Sequence, residues 1–352
     1  MQHTAVPSLT RHDPSVDVSV VVVNWNGREH LEVCLSSLLR QNVAAEILLV
    51  DNASSDDSLA LVRERFGDRV RVVALDHNVG YGAGLNAGIR VAKGRFLFAL
   101  NTDTEVAPAC LATLIDCADR FPNTGSFAPK ILSFQDPEVI DNVGHLLYPD
   151  GLSRGRGRLE RDRGQYDCEE EILIASGCAM LLRRSMLADI GLFDADLFAY
   201  CEDTDLALRA QLKGWRCRFV PAAVVYHKYS AATAPYSPEK AFLVERNRVW
   251  VATKCLPASI LALTPLFTAL RLAAQAWGAL TKRGAAGRFA ANRSRGELLG
   301  ILVRAWSAAL RGLPAALRKR KPIQATRRVS GLDAWQWLRL YRMGVREIAL
   351  RD

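Results

Sequence analysis

The stretch VSVVVVNWNG, Val18–Gly27, decides how this chain is read. Its valines form an apolar run with no polar alternation, the pattern of a strand buried on both faces. The run stops at Asn24, Trp25, Asn26 and Gly27, residues suited to a turn. The next segment, REHLEVCLSSLLRQ, spaces Leu31, Cys34, Leu35, Leu38 and Leu39 as one face of an amphipathic helix. A second buried run, EILLVDNASSDDS, ends at Asp51 and turns into LALVRERF. VRVVAL reads as a third strand, NVGYGAGLNAGIRVAKG as a glycine-rich turn into a helix, and RFLFALNTDTEV as a fourth strand ending in acids. Strand and helix alternating over short links predict a parallel, doubly wound α/β sheet.

Ligands in such sheets bind beyond the carboxyl ends of the strands. Here those ends are Asn24-Trp25-Asn26, Asp51-Asn52, the HNVGYGAG loop and Asn101-Thr102-Asp103. Each alone is ordinary turn chemistry. Four at the same topological position predict a nucleotide-type site. GYGAGLNAG loosely resembles a dinucleotide fingerprint, but it follows the third strand rather than the first, which argues against NAD or FAD.

Beyond Pro108, LATLIDCADRF predicts a helix and TGSFAPKIL a strand. The Gly/Arg-rich segment DNVGHLLYPDGLSRGRGRLERDRGQYDCEEE predicts an ordered loop with a hairpin. ILIASGCAMLLRRSMLADIGLFD reads as strand, turn and helix, and CRFVPAAVVYHKYS as a strand pair ending at His227. Between these lies LFAYCEDTDLALRAQLKGW, beginning at Leu197, where Glu202, Asp203 and Asp205 crowd the start of an apolar helix. Helix capping would account for acids there, since the macrodipole favours them.

The whole chain of 352 residues carries a net charge of +9, unevenly spread. From Trp250 onward there are 19 Lys+Arg against 4 Asp+Glu, a net of +15, and the rest is acidic at −6. That asymmetry predicts a polyanionic partner for the C-terminal part: an anionic membrane, nucleic acid or a phosphorylated substrate. RGRGRLERDRG lacks the aromatics of an RNA-binding motif, so no nucleic acid is expected. Arg154, Arg156 and Arg158 within it lie either in a plain solvated loop or in one that approaches a bound phosphate or second substrate. Eight scattered cysteines without a CxxC pair predict packing residues in a reducing compartment. No apolar signal segment is visible at the start, so a cytoplasmic location is expected. The uncharged run Cys255–Leu270 is short for a spanning helix and is interrupted by Pro257 and Pro265. With GELLGILVRAWSAALRGLPAALRKRKP and its basic cluster from Arg318 to Lys321, it predicts helices lying on anionic lipid at the inner face of the cell membrane.

Seven of these motifs in this order resemble the bacterial family 2 glycosyltransferases, the inverting GT-A class, in the rhamnosyltransferase-like branch: VVVVNWNG, LLVDNASSDDS, NVGYGAGLNAG, LNTDTEV, SGCAMLLRR, GLFDADLFAYCEDTDLALRAQLKGW and VPAAVVYHKYS. The resemblance runs from about Val18 to Thr233. It implies a GT-A fold: a Rossmann-like, nucleotide-diphospho-sugar transferase mixed sheet flanked by helices, followed by a C-terminal helical region. It implies a lead-in over residues 1–16 and a catalytic domain over 17–237, with nucleotide half 17–105 and acceptor half 106–237. The basic helical region is then 238–352.

Site residues follow from the resemblance position by position. Asp51 would bond the pyrimidine of a dTDP- or UDP-sugar, with Asn24, Asn26, Asn78 and Gly80 lining the same pocket. NTD matches the family's DxD-like motif, with Asp103 as metal ligand. Asn101 departs from that pattern by replacing the first acid. His227 matches a histidine that completes the metal site, where Mn2+ or Mg2+ would bind. Asp203 matches the catalytic base, Glu202 would position the acceptor, and Asp205 would cap the helix. The implied function is transfer of a sugar, L-rhamnose foremost, to a cell-envelope glycan or lipid-linked acceptor. The alternatives are a catalytically silent sugar-nucleotide-binding scaffold and a basic nucleic-acid binder; intact Asp51, Asp103, Asp203 and His227 argue against the first.

Overall fold

The computed structural model describes residues 12–228, 237–291 and 293–350. Most of the expected lead-in and the end of the expected catalytic domain, residues 1–11 and 229–236, lie outside the described residues. The opening stretch forms strand β1 (Val18–Asn24), every residue of which is buried. Helix α1 (Arg28–Leu39), β2 (Ala45–Asp51), α2 (Ser58–Arg65), β3 (Arg71–Ala74), α3 (Tyr81–Val91) and β4 (Phe96–Asn101) follow. Strand β1 lies between β2 and β4, parallel to both, with Asn24 opposite Asp51 and Val23 opposite Asn101. β3 adds in parallel beyond β2.

The unbroken valine run is explained by layers on both faces. Val20 and Val22 belong to the core with Leu31, Cys34, Leu35 and Leu38 of α1. Val21 and Val23 belong to the core with Leu85 and Ile89 of α3. Each such buried side chain stabilises the fold by roughly 1.5–3 kcal/mol. The glycines of α3 serve this packing. A Cβ at Gly84 would lie 2.8 Å from Val23 Cγ1, and one at Gly88 would lie 2.4 Å from Val21 Cγ1. Their role is close approach of helix to strand, not a dinucleotide fingerprint.

The second half contains β5 (Thr104–Val106), α4 (Cys110–Arg120), β6 (Thr124–Ser133), β7 (Ile140–Asn142), β8 (His145–Leu147), β9 (Ser153–Gly155), β10 (Glu170–Ile172), β11 (Ala179–Arg183), α5 (Arg184–Ile190), α6 (Glu202–Leu212) and β12 (Arg216–His227). The sheet order is β10-β12-β6-β11-β4-β1-β2-β3, with β5 on β12 and β7 on β6. β11 is antiparallel to β4 and β6, so the sheet is mixed. β8 and β9 form the hairpin expected in the Gly/Arg-rich segment.

Two expectations need correction. The fourth strand does not run through to Val106: it breaks at Thr102–Asp103, and β5 leaves β4 to pair antiparallel with β12. The expected strand pair before His227 is a single strand of 12 residues. Its register against β6 shifts between Val220 and Val224. Pro221 falls in that bulge, where a missing N–H breaks no ladder bond.

The C-terminal region is helical: α7 (Pro238–Cys255), α8 (Ala258–Leu261), α9 (Thr264–Leu280), α10 (Gly284–Ala290), α11 (Arg295–Ala325), α12 (Gly331–Leu340) and α13 (Val345–Leu350). Pro257 and Pro265 divide the uncharged run into helix starts, as proline's fixed φ favours. α11 packs along α7, and Trp250 Nε1 donates to the Ala309 carbonyl at 2.9 Å. A buried charge cluster ties the helices to the β8–β9 turn. Arg271 Nε donates to Asp150 Oδ2 at 2.7 Å and its Nη2 to Glu245 at 3.0 Å. Arg248 also pairs with Glu245, and Trp306 Nε1 donates to Glu245 Oε1 at 2.9 Å.

Candidate active site

The carboxyl ends of β1 and β2 are wired together. Asn24 Nδ2 donates to Asp51 Oδ1 at 3.1 Å and to Ser54 Oγ at 3.0 Å. The other Asp51 oxygen accepts from Ser54 N at 3.1 Å. Asn26, in a left-handed conformation, accepts from Ser55 N at 2.7 Å. Asn24 is fully buried, and its Oδ1 has no partner, an orphaned acceptor on the floor of this corner. Asn52 Nδ2 reaches Asn78 Oδ1 at 2.9 Å, and the same oxygen accepts from Gly80 N at 2.9 Å. Gly80 has φ +85°, and a Cβ there would lie 2.2 Å from the Phe198 carbonyl oxygen. Only glycine fits that approach.

The turn after β4 carries Asp103, which is 6% exposed. Because β5 pairs with β12 so that Thr104 faces His227, the strand end brings His227 to Asp103. His227 Nε2 lies 3.3 Å from Asp103 Oδ1, and its Nδ1 lies 2.7 Å from Asp141 Oδ2. Arg158 Nη1 holds the other Asp141 oxygen at 3.0 Å. Burial alone would lower the His227 pKa. The neighbouring Cys178 thiol and the Asp103 and Asp141 carboxylates outweigh that and raise it well above the ordinary imidazole value.

Among the described residues no cluster of three or more His, Cys, Asp or Glu forms a ready metal cage. Two ligands suffice when phosphate oxygens supply the others, the usual arrangement for a small hard cation. Ligand atoms at right angles around an ion, each ~2.1 Å away, lie about 3 Å apart, close to the observed Asp103–His227 spacing. Asp141 on Nδ1 orients the ring, and an ion bound at Nε2 would take the place of the proton there, the carboxylate–histidine–metal pattern. The residues therefore fit a divalent cation. Asn101 sits half-buried at the end of β4, its N–H donating to the Cys178 carbonyl at 2.9 Å.

Glu202 and Asp203 open α6. Asp203 Oδ2 accepts from Gly177 N at 2.9 Å, and its Oδ1 accepts from Thr204 N at 2.6 Å. Burial first, and the Asp203 carboxylate second, push the Glu202 pKa up to about 8. Glu202 Oε2 is buried without a partner. Tyr81 OH donates to the Gly177 carbonyl at 2.8 Å, and Tyr81 N donates to the Phe198 carbonyl at 2.7 Å. Asp203 is thus linked through Gly177 to Tyr81 at the start of α3 and, through the adjoining Cys178, to Asn101 at the end of β4.

Asp205 is not a cap. The residue before α6, Cys201, makes no side-chain cap bond. Asp205 is fully buried, 2.8 Å from Arg209 Nε and 2.6 Å from Lys254 Nζ. Burial opposes its charge, but Lys254 and Arg209 hold its pKa below the ordinary value. Of the three loop arginines, Arg158 reaches the site through Asp141. Arg156 donates to Glu170 Oε1 at 2.7 Å and Arg154 to the Glu347 carbonyl at 3.1 Å. All eight cysteines are free, seven of them buried. Sequence reasoning missed Asp141, Tyr81, Gly177 and His145, whose Nδ1 lies 3.6 Å from Asp203 Oδ2. Each acts through a long-range pairing that no local pattern signals.

The mixed sheet flanked by helices is that of the GT-A fold. Comparison with known proteins agrees. S. aureus TarS 1–349, solved in complex with UDP, superposes with a TM-score of 0.51 at 19% identity, over 88% of this chain and 91% of that one. GalNAc-T7 with UDP, GalNAc and Mn2+ gives 0.52 at 20% identity, over 65% of this chain and 48% of that one. An N-acetylglucosaminyl-diphospho-decaprenol L-rhamnosyltransferase of Mycobacterium tuberculosis is 28% identical over 262 residues, 66% of this chain and 85% of that protein. Residues 19–191 match the profile of Glycosyl transferase family 2. Residues 19–191 thus form a family 2 glycosyltransferase domain, similar to that of the rhamnosyltransferase-like branch.

Proposed function

We propose that this glycosyltransferase is inverting and depends on a divalent cation, Mn2+ or Mg2+. Its donor is a dTDP- or UDP-sugar, dTDP-L-rhamnose foremost, and its acceptor a cell-envelope glycan or its lipid-linked precursor. The observation that supports the reading is the Asp103–His227 pair at the end of β4, next to the Asn24–Asp51 corner, with Asp203 bonded to Gly177 N and the adjoining Cys178 carbonyl accepting from Asn101 N. The M. tuberculosis relative, named for an L-rhamnosyl transfer to a lipid diphosphate, supports the choice of sugar and acceptor class.

In this reading Asp51, Asn24, Asn26, Asn78 and Gly80 receive the nucleoside, and Asn101 and Asp103 face its diphosphate. Asp103 and His227 would hold the cation, which neutralises charge developing on the leaving diphosphate. Asp203 takes the proton from the acceptor hydroxyl on the opposite face of the sugar. Glu202, whose burial and Asp203 neighbour favour its protonated form, would donate to the acceptor and orient it. Two adjacent acids thereby take two roles.

We place the enzyme in the cytoplasm at an anionic membrane. Leu266, Leu270, Trp277 and Leu280 are exposed at helical spacing on α9, with Leu263 just before it, and Leu299, Val303, Trp306, Leu310 and Leu317 on α11. Between residues 255 and 325 there are 12 Lys+Arg and one acid, Glu297. Apolar stripes with basic flanks suit a lipid interface. α11 is, among the described residues, the one helix long and apolar enough to cross a membrane. Its Ile301, Ala305, Ala309 and Ala316 are buried and its length lies along α7, so it is read as lying on the surface. The basic cluster contributes less than its sequence suggests. Lys319 pairs with Asp194 and Asp196, and Arg320 donates to the Thr253 and Leu256 carbonyls.

The test is incubation with UDP-, GDP- and dTDP-sugars and a polyprenyl-diphosphate-linked acceptor, with Mn2+, Mg2+ or chelator. Consumption of one donor only with metal and acceptor supports the reading. No consumption of any donor contradicts it.

A further inference from the structure

The loop that delivers the two acids is strained, and within it the Ala199 N–H donates to the Leu197 carbonyl at 2.8 Å, a tight turn around Phe198. Between the 3-10 turn at Ala195–Leu197 and α6, Phe198, Tyr200 and Cys201 have φ of 64°, 68° and 67°. None is glycine, and L-residues disfavour this region. Such a loop persists only where its surroundings over-determine it.

The constraint comes from α7. Asn247 is fully buried, and its Nδ2 lies 2.9 Å from the Leu197 carbonyl oxygen, 2.8 Å from that of Ala199 and 2.8 Å from that of Tyr200. Three carbonyl acceptors fix the amide's orientation, because only its nitrogen can donate, and its two N–H groups are shared among them. Arg246 Nε locks the other end, donating to Asn247 Oδ1 at 2.8 Å, and its Nη2 also donates to Leu197 O at 2.9 Å. On the far side Tyr81 N holds the Phe198 carbonyl. The loop is therefore clamped between α7 and the start of α3, directly before Glu202.

We propose that Asn247 is a positioning residue for the transfer step: its buried amide holds the left-handed loop that aims Glu202 and Asp203. It touches neither acid and acts through the backbone between them. The inference rests on the proposed transfer reaction for its turnover readout only.

Asn247→Ala is compared with wild type in two backgrounds, native and Tyr200→Gly, where glycine removes the penalty for a positive φ. In the native background turnover falls by about 10- to 100-fold, the scale of a small misplacement of reacting groups. Nucleoside diphosphate affinity, read by calorimetry, stays within about threefold, because Asn24 and Asp51 stand on β1 and β2 and the Phe198 carbonyl beside Gly80 keeps its bond from Tyr81 N. With Tyr200→Gly the same change costs at least about threefold less, the coupling expected of two residues acting on one strained element. Equal losses in both backgrounds overturn the proposal. So does joint loss of nucleotide affinity and turnover in both Asn247→Ala and Asn247→Ser, which makes the contact part of the general fold. Amide hydrogen exchange over 197–203 is measured in parallel and needs no activity. It rises in Asn247→Ala if the clamp holds the loop, and unchanged exchange overturns the proposal. A wild-type chain that turns over no donor contradicts the transfer reading, while the exchange comparison still decides this one.

Discussion

Replacing Asp205 with asparagine separates the structural acid of the cluster from the chemical ones. Asp205 is fully buried and faces two cations, Arg209 Nε at 2.8 Å and Lys254 Nζ at 2.6 Å. The amide keeps the shape and removes the charge. Lys254 then retains Asp194, and Arg209 retains the Ile190 and Leu192 carbonyls at 2.8 Å and 2.9 Å. Breaking a buried pair from one side costs about 3–5 kcal/mol, and the remaining partners place this case near ~3 kcal/mol. For a chain of this size that is a fall in Tm of about 4 °C. The sign with pH follows from the depressed pKa of Asp205. Its contribution is present above the ordinary carboxylate pKa and is lost as pH falls through the folded value, so the gap between wild type and variant closes in acid. Thermal melts at pH 7 and at acid pH, without nucleotide, read both effects. A variant melting within about 1 °C of wild type at pH 7 would refute the buried-pair account and return Asp205 to a surface cap.

The other expected outcomes concern metal, acceptor acid and lipid. Asp103→Ala abolishes metal-dependent turnover and weakens donor binding without unfolding the chain, while His227→Ala has the milder effect; undiminished turnover by Asp103→Ala at saturating donor and metal removes the metal assignment. Glu202→Gln stabilises the protein increasingly as pH rises from about 4.5 through about 8, because a carboxyl whose folded pKa is raised loses stability over that interval. Melting curves of Glu202→Gln and wild type that run parallel from pH 5 to pH 9 would contradict it. The full-length chain floats with anionic liposomes at low salt, and Leu270→Glu together with Leu310→Glu sinks it; wild type left at the bottom of the gradient ends the membrane proposal.

The strand ends were legible because a buried parallel strand announces itself by an unbroken apolar run, and the polar residues that stop it mark the ligand edge. Val18–Asn24 and Ala45–Asp51 are the clearest instances. The Asp103 turn was visible as an acid at such an end, though not the break that moves β5 across to β12 and so brings up His227. Asp205 was misread because its partner Lys254 comes from α7, and a first-turn acid looks the same whether it caps or pairs. The loop before α6 was opaque for a related reason. FAYC carries no glycine to signal a positive φ, and the group that enforces it, Asn247, belongs to a distant helix. Long-range pairing supplies both, and no local periodicity records it.

The central claim is that Asp203 is the base of a sugar transfer fed from the Asn24–Asp51 corner. The most direct measurement is release of nucleoside diphosphate from the donor that wild type consumes, set beside calorimetric binding of the same nucleotide, for wild type and Asp203→Asn. General-base catalysis contributes about 10²–10⁴-fold, so turnover by Asp203→Asn falls by two to four decades while nucleotide affinity is retained. Near-normal transfer by Asp203→Asn, with nucleotide binding intact, would contradict the claim.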